Sequence, residues 1–253
     1  MNTRALLIDF KRTIRNPEVP IFIVGIPVLI YIIFGATAEW SNIPVANGDY
    51  GMAIMANMAA FGAATATVTV SSTAVLERLQ GWGRQLALTP MGTRSYFMSK
   101  TVTAMALALL PVIAVYLTGF IARMDGTASA WVLSFLMAFA GALPFAAFGL
   151  GISLALRSQI AASIAPSMMT VFGFVSNMFF PLEGALLTVA KFTPMYGYGV
   201  LVRYPITEGQ QAFANSPGTY VESLPWAIGS LVSWTIIMVL FALWALKRGN
   251  SRG

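Results

Sequence analysis

The sequence contains neither cysteine nor histidine. It therefore forms no disulfide bond, and it lacks the side chains that usually bind structural zinc and haem. A mechanism that needs a histidine base is excluded for the same reason. Charge is also scarce, because 9% of the residues are charged, whereas a soluble domain has about 25%. These absences argue against a soluble enzyme.

Apolar residues make up 57% of the 253-residue chain and fall in long runs. A helix of about 20 apolar residues spans a bilayer core of ~30 Å. The runs are apolar on every face and do not alternate as transmembrane strands do. We therefore predict an all-α integral membrane protein, a single transmembrane domain over residues 1–253 with six transmembrane helices. The predicted spans are residues 19–38, 51–76, 97–121, 130–156, 160–180 and 224–246.

Basic residues are distributed unequally between the two sides of this arrangement. Six spans place both termini on one side, and all the basic residues except Arg123, Lys191 and Arg203 fall there. Because basic loops remain in the cytoplasm, we predict cytoplasmic termini, including the tail 247–253, in the cell membrane, most simply a bacterial plasma membrane. The net charge of +6 is then a topology signal, and no nucleic-acid partner is expected.

The N-terminal segment 1–18 has helical spacing. Leu6 and Phe10 share one face, whereas Arg4 and Lys11 share the other. This pattern predicts an amphipathic helix in the membrane interface, and a cationic flank that fixes orientation is the alternative. The basic start and the first apolar run resemble a signal peptide, but the run is longer than such peptides have, so we expect it to be retained.

No ionisable residue is predicted in the middle of a span, although ion-coupled carriers usually hold such residues there. All nine acidic residues fall at predicted span ends or in loops. The phosphate-loop pattern G-x-x-x-x-G-K-[ST] does not occur in the sequence, and no ring of charges or carbonyls indicates a channel filter. We therefore predict no catalytic, cofactor or metal site in this chain, and an energy source in a partner.

The longest polar interruption in the first half of the chain is residues 77–96. Read as a helix, it places Leu79, Trp82 and Leu86 on one face, with Glu77 and Arg84 on the other. Such a helix can insert its apolar side into the membrane and present its polar side to a cytoplasmic protein. The alternative is an ordinary loop in which Trp82 is an interfacial anchor.

Residues 181–223 mix short apolar runs with proline, glycine and polar residues. The apolar run 185–189 is too short to cross a membrane. Broken backbone at membrane depth is tolerated only where protein buries it or water reaches it. We therefore predict an outer re-entrant helical hairpin in this segment, before the last span.

Two groups of residues could line a substrate path. Thr65 and Thr69 belong to a hydroxyl stripe of span two, and Met169, Phe172 and Asn177 lie in the second half of span five. The alternative for both groups is packing, with hydroxyls bonded to their own helix. Because methionine adapts to different ligands, an amphipathic drug, antibiotic or lipid is the expected cargo.

Two stretches resemble permeases of the ABC-2-type exporter family. Residues 77–90, read as E-R-x-x-G-x-x-R-Q-L-x-x-T-P, are similar to the family's cytoplasmic coupling helix, which docks on a nucleotide-binding subunit. Residues 179–187, F-F-P-L-E-G-A-L-L, with Thr193-Pro194 and Tyr196 after them, resemble its outer re-entrant hairpin. The span order and the N-terminal helix match as well. The short loop between spans one and two differs from members that have large external domains.

The resemblance implies the permease subunit of an ATP-driven exporter. Two permeases, identical or sister chains, would pair above two nucleotide-binding subunits, which would hold the ATP and Mg²⁺. The implied coupling residues are Glu77, Arg78, Gly81, Trp82, Arg84 and Gln85, and the implied hairpin residues are Pro181, Leu182, Glu183 and Pro194. There are two alternatives: a stand-alone carrier or channel, and a membrane scaffold or sensor without transport.

Overall fold

A computed structural model describes residues 10–11, 15, 18–77, 93–156, 158–212 and 218–250. In these ranges the chain is mostly helical, and a π-helical turn, Ile32–Ala36, continues the first helix. The helices are α1 Glu18–Tyr31, α2 Tyr50–Ser72, α3 Ala74–Glu77, α4 Thr93–Ile121, α5 Ala128–Ala140, α6 Leu143–Leu156, α7 Gln159–Val175, α8 Gly184–Ala190, α9 Tyr196–Thr207 and α10 Leu224–Asn250. Two antiparallel hairpins are formed by the strands β1 Pro44–Val45, β2 Gly48–Asp49, β3 Gln210–Ala212 and β4 Thr219–Val221.

Four segments of the described chain are long and apolar enough to cross a membrane. They are Tyr50–Ser72, Tyr96–Ile121, Ala128–Leu156 and Leu224–Arg248. The prediction of an all-α membrane protein is thus confirmed in its coarse form. The six-span layout is not, because the apolar helices at predicted spans one and five, Ile21–Ala36 and Gln159–Val175, are shorter than a full span.

Local backbone conformation accounts for these differences. Predicted span five ends at Val175, since Asn177 adopts a left-handed conformation with φ of 60° and turns the chain. Predicted span four divides into α5 and α6 at Gly141 and Ala142. Pro144 is the second residue of α6, and the first turn of a helix tolerates proline because its N–H groups have no partner within the helix.

Helix α2 is the centre of the bundle. It packs against α1, α4, α5, α6, α7 and α9. In an apolar 18-residue stretch of α2, 83% of the residues are buried, compared with 11% in the corresponding stretch of α10. Small residues permit this, because a Cβ added at Gly62 would lie 2.7 Å from Pro111 Cβ, and one at Gly149 would lie 2.7 Å from the Val68 carbonyl oxygen. Close approach through small residues is the usual packing of membrane helices.

Contacts between connections define one end of the bundle, called here the outer end after its predicted side. Gly48 pairs with Gly126 in a β-bridge. The backbone N–H of Asn47 donates a hydrogen bond to Ile206 O at 2.8 Å, and the backbone N–H of Thr127 donates to Asn47 O at 2.9 Å. The loop after α1, the turn after α4 and the end of α9 therefore meet at this end.

The segment predicted as an outer hairpin folds as two helices, α8 and α9, followed by the β3–β4 hairpin. Two indole N–H groups of α10 fix the turn between the helices: Trp226 Nε1 donates to Lys191 O at 3.3 Å, and Trp234 Nε1 donates to Phe192 O at 3.1 Å. The segment thus contains two helices joined by a turn, and an outer re-entrant hairpin stays a prediction.

The structure describes four residues of the predicted N-terminal segment 1–18, and all four are helical, Glu18 as the first residue of α1. Phe10 is half-buried and packs against the cluster of Val70, Ala104 and Leu107, whereas Lys11 and Arg15 are exposed. These positions agree with the predicted apolar and polar faces.

Candidate functional site

A cavity of about 410 Å³ opens at the outer end, beside the first half of α2. Its apolar walls come from Phe34 in the π-helical turn, Trp40 and Ile43 after it, and Phe179 and Phe180 after α7. The polar side chains that line it are those of Tyr50, Asn57, Asn177, Arg203 and Gln211. A mostly apolar pocket with a few convergent polar groups is the usual form of a small-molecule site.

Edge-to-face aromatic contacts hold the walls. The rings of Phe34 and Phe180 are 5.2 Å apart, and Phe179 lies 4.8 Å from both Phe61 and Phe174. Such pairs stabilise beyond their buried area by about 0.5–1.5 kcal/mol. The wall therefore joins the first apolar helix, α2 and α7.

Arg203, which lines the floor of the cavity, forms a buried ion pair with Glu222, which is not one of the lining residues. Arg203 is fully buried in α9, and Glu222, 3% exposed, follows β4. Arg203 Nε donates to Glu222 Oε2 at 2.8 Å, and Nη2 donates to Glu222 Oε1. Nη1 donates to Asn57 Oδ1 of α2 at 3.2 Å. The ion pair thus joins α9 to the end of the β3–β4 hairpin, and the hydrogen bond to Asn57 joins both to α2.

Asn177 connects this pair to the predicted outer hairpin. Its side-chain oxygen accepts from Leu182 N at 2.6 Å, and its Nδ2 donates to the Tyr220 hydroxyl at 3.0 Å. Burial, and then the nearby charge of Glu222, raise the pKa of Tyr220 to about 12. The Tyr220 hydroxyl therefore stays protonated at neutral pH. Asparagine is among the residues that tolerate the left-handed conformation found at this turn.

Gln211 presents the other polar group of the cavity. Its side chain is 8% exposed on β3. Among the described residues, its Oε1 has no hydrogen-bond partner. Buried polar atoms are nearly always satisfied, so this acceptor would gain a partner from a donor that reached it.

Asp49 holds the outer connections beside the cavity. Its Oδ1 accepts from Met52 N and caps α2, and its Oδ2 accepts from Asp125 N, both at 2.6 Å. Burial raises the pKa of Asp49 above its usual value of 3.8, although these two backbone hydrogen bonds oppose that shift. Capping by a carboxylate matches the preference of helix N-termini for Asp.

A second charged cluster lies at the opposite end of the bundle, where α2 and α3 end. Lys100 Nζ donates to both carboxylate oxygens of Glu77, at 2.8 and 2.9 Å. The Tyr96 hydroxyl lies 3.0 Å from Glu77 Oε2 and 2.9 Å from Ala74 O. Side-chain exposure is 2% for Lys100 and 16% for Glu77. Glu77, the last residue of α3, is therefore held against α4.

Of the six predicted coupling residues, the structure describes Glu77, whose carboxylate faces Lys100 and Tyr96. The remaining predicted coupling residues, Arg78, Gly81, Trp82, Arg84 and Gln85, lie outside the described residues. Docking on a partner through this segment stays a prediction.

The predicted hairpin residues lie along the α7–α9 connection. Pro181 lines the cavity, and Leu182 packs with Tyr196 and Val200. Glu183 is the residue before α8, and Pro194 is buried in the turn before α9.

Of the five predicted path residues, one lines the cavity and the other four do not. Asn177 lines the cavity. Met169 is fully buried in the core, and Phe172 packs against it. In the hydroxyl stripe, Thr69 donates to Thr65 O at 2.7 Å, as the packing alternative expects, and Thr65 Oγ1 has no partner among the described residues. A role of these side chains in transport stays a prediction.

Sequence reasoning missed the pairing of Arg203 with Glu222 and the part played by Asn57. Arg203 had been interpreted as an outer topology charge and Glu222 as a loop acid. One signal was available: Asn57 is the single amide in α2, whose other residues are apolar, small or hydroxylated. Among the described residues, no three acidic side chains cluster as metal ligands do.

A profile described as "ABC-2 type transporter" matches residues 5–207. The chain belongs to the ABC-2 type transporter family. The match confirms the predicted family, and it makes this ABC-2 permease the membrane subunit of an ABC transporter. Members of the family are transport subunits that are not themselves catalytic.

A relative from Bacillus subtilis (strain 168), named "Putative transport permease YvfS", supports the same family. It is 24% identical to this ABC-2 permease over 196 residues, which cover 76% of this chain and 79% of the relative.

Proposed function

We propose that this chain is the permease subunit of an ATP-driven exporter and forms the export path for an amphipathic small molecule, such as a drug, an antibiotic or a lipid. A separate nucleotide-binding subunit binds ATP and Mg²⁺ and acts on the permease through residues 77–90. A second permease, a copy or a sister chain, completes the complex. The observation that carries the proposal is the family membership, combined with a sequence that has no phosphate loop.

The cavity at the outer end supports an amphipathic cargo. Its walls are aromatic and aliphatic, and its floor is polar with balanced charge. A molecule with an apolar body and a polar head matches both surfaces. A strongly anionic cargo would need unpaired basic groups, whereas Arg203 is held by Glu222.

The Glu77 cluster supports force transfer at the other end. The ion pair with Lys100 joins the last turn before residues 78–92 to α4. A push on the segment that follows Glu77 would therefore act on α2 and α4 together. Because Lys100 is 2% exposed and Glu77 is 16% exposed, a protein that docks nearby would have little access to the pair.

Reconstitution with an ABC nucleotide-binding subunit that co-purifies with this chain tests the proposal. In proteoliposomes we expect ATP-dependent export, and Arg84→Glu should leave ATP hydrolysis while abolishing export. Arg123→Glu reverses an exposed charge at the outer end and is the matched control, which should export normally. Glu77→Lys is a less specific variant, because it also breaks the pair with Lys100.

Two results would contradict the proposal. Normal export by Arg84→Glu would exclude docking through residues 77–90. Solute movement driven by an ion gradient without ATP or a partner would favour a stand-alone carrier or channel instead.

A further inference from the structure

We propose that the outer cavity binds an uncharged amphiphile, with an apolar chain or ring system and a small head that both donates and accepts hydrogen bonds. The inference rests on the proposed function, because it specifies the chemistry of the cargo. It is carried by three properties of the cavity: its aromatic mouth, its neutral floor and an acceptor atom without a partner.

The mouth of the cavity is apolar and exposed. Trp40 is 44% exposed and Phe180 is 41% exposed, and both line the cavity with Phe34. In a membrane protein, exposed aromatic side chains near the end of the bundle lie at the level of the lipid head groups. The mouth is thus placed to receive an apolar chain, while the head of the ligand reaches the polar floor.

The floor is electrically balanced. Arg203 is the charged side chain among the described residues that line the cavity. Glu222 accepts from two of its nitrogens, so an anionic head would compete with a carboxylate already in place. A cationic head would meet a guanidinium at the same point. Burying an unpaired charge is costly, and both types of charged head are therefore disfavoured.

Hydrogen-bonding capacity remains at the floor. Gln211 Oε1 is buried without a partner among the described residues and can accept from the ligand. Asn57 Nδ2 donates to Met178 O at 3.1 Å, and Arg203 Nη1 donates to Asn57 Oδ1. Each of these nitrogens carries a second hydrogen. A diol or an amide head, which has donors and acceptors side by side, satisfies both kinds of group.

Photolabelling in nanodiscs containing the full chain tests this inference. Three diazirine probes share one acyl chain and carry a glycerol, a phosphate or a trimethylammonium head. We expect saturable labelling by the glycerol probe, mapped by mass spectrometry to the cavity-lining residues. The charged probes should need at least tenfold higher concentrations.

Two glutamines of β3 supply a matched pair of variants. Gln211→Leu removes the buried amide, and Gln210→Leu makes the same change at the exposed neighbour. Loss of one buried hydrogen bond should raise the half-saturating glycerol-probe concentration roughly five- to tenfold in Gln211→Leu, with no change in Gln210→Leu. Ala212→Phe, which fills the cavity from the same strand, should abolish labelling in a chain that keeps its elution volume and unfolding temperature.

Equal labelling by a charged probe, equal effects of the two leucine variants, or saturable labelling elsewhere would each overturn the inference. Binding is measured here without ATP, so its outcome is separate from that of the proposed function. A chain that binds the glycerol probe in the cavity, but exports nothing with its nucleotide-binding subunit, keeps this inference and refutes the proposed function. ATP-driven export by a permease whose cavity binds no probe refutes this inference alone.

Discussion

The ion pair between Arg203 and Glu222 yields the sharpest prediction about stability. Both side chains are buried, and three described elements meet at the pair: α9, the end of the β3–β4 hairpin and α2 through Asn57. Arg203→Met leaves a carboxylate buried without its partner, and Glu222→Leu leaves a guanidinium in the same position. The double variant removes both charges.

The expected magnitudes follow from the cost of an uncompensated buried charge. Removing one partner of a buried pair typically costs about 3–5 kcal/mol, whereas replacing both with apolar residues is often neutral. We therefore expect each single variant to lose about 3 kcal/mol or more of unfolding free energy. Because replacing both residues is often neutral, the double variant should lose less than either single variant, which is at least about 3 kcal/mol less than the sum of the two single losses.

Unfolding in mixed micelles, titrated with sodium dodecyl sulfate and followed by tryptophan fluorescence, measures these free energies. Arg123→Met, which removes an exposed arginine at the same end, is the control and should change stability by less than about 0.5 kcal/mol. Strictly additive losses in the double variant would refute the reasoning, because they would mean that the two charges do not stabilise each other.

Three further predictions concern other parts of the bundle. Gly149→Ala should destabilise by about 1–3 kcal/mol, because the added Cβ meets a backbone oxygen of α2, whereas Gly25→Ala, where no atom lies within 4 Å, should not; equal unfolding free energies would contradict this close approach. The pKa of Asp49 in the folded protein is raised above 3.8. The contribution of the protonated Asp49 carboxyl to the unfolding free energy is therefore fully present below pH 3.8 and is lost as pH rises through the raised pKa. The wild type should therefore lose stability relative to Asp49→Asn as pH rises, measured as the difference in unfolding free energy from pH 3.5 upward, and a difference independent of pH would count against it. Lys100→Met should lower both stability and ATP-dependent export, because it leaves Glu77 without its cation, and Lys100→Met combined with Glu77→Leu should recover part of both.

Much of the helical framework could be predicted from the sequence, because apolar runs set helices directly. The runs around α2, α4 and α10 were placed to within a few residues. Helix ends were harder, since they depend on single backbone conformations such as the left-handed Asn177 that ends predicted span five. The family resemblance was confirmed, because a profile of that family matches residues 5–207.

The polar part of the candidate site could not be predicted in the same way. Arg203 and Glu222 are 19 positions apart, and they meet only because two strands fold back between them. Lys100 and Glu77 meet across a segment that separates two helices, so the basic residue had been interpreted as a topology charge. Pairings of this kind depend on tertiary packing, which no local pattern encodes.

The central position of α2 has a mechanical consequence. Asn57, near one end of this helix, contacts Arg203, and Glu77, just beyond the other end, contacts Lys100. The two contacts are about 30 Å apart at 1.5 Å of rise per residue. A helix enclosed on nearly all sides cannot bend freely, so we expect α2, with α3 after it, to act as a stiff link between the two charged clusters. We therefore expect a displacement at one cluster to move the other, at the opposite end of the bundle.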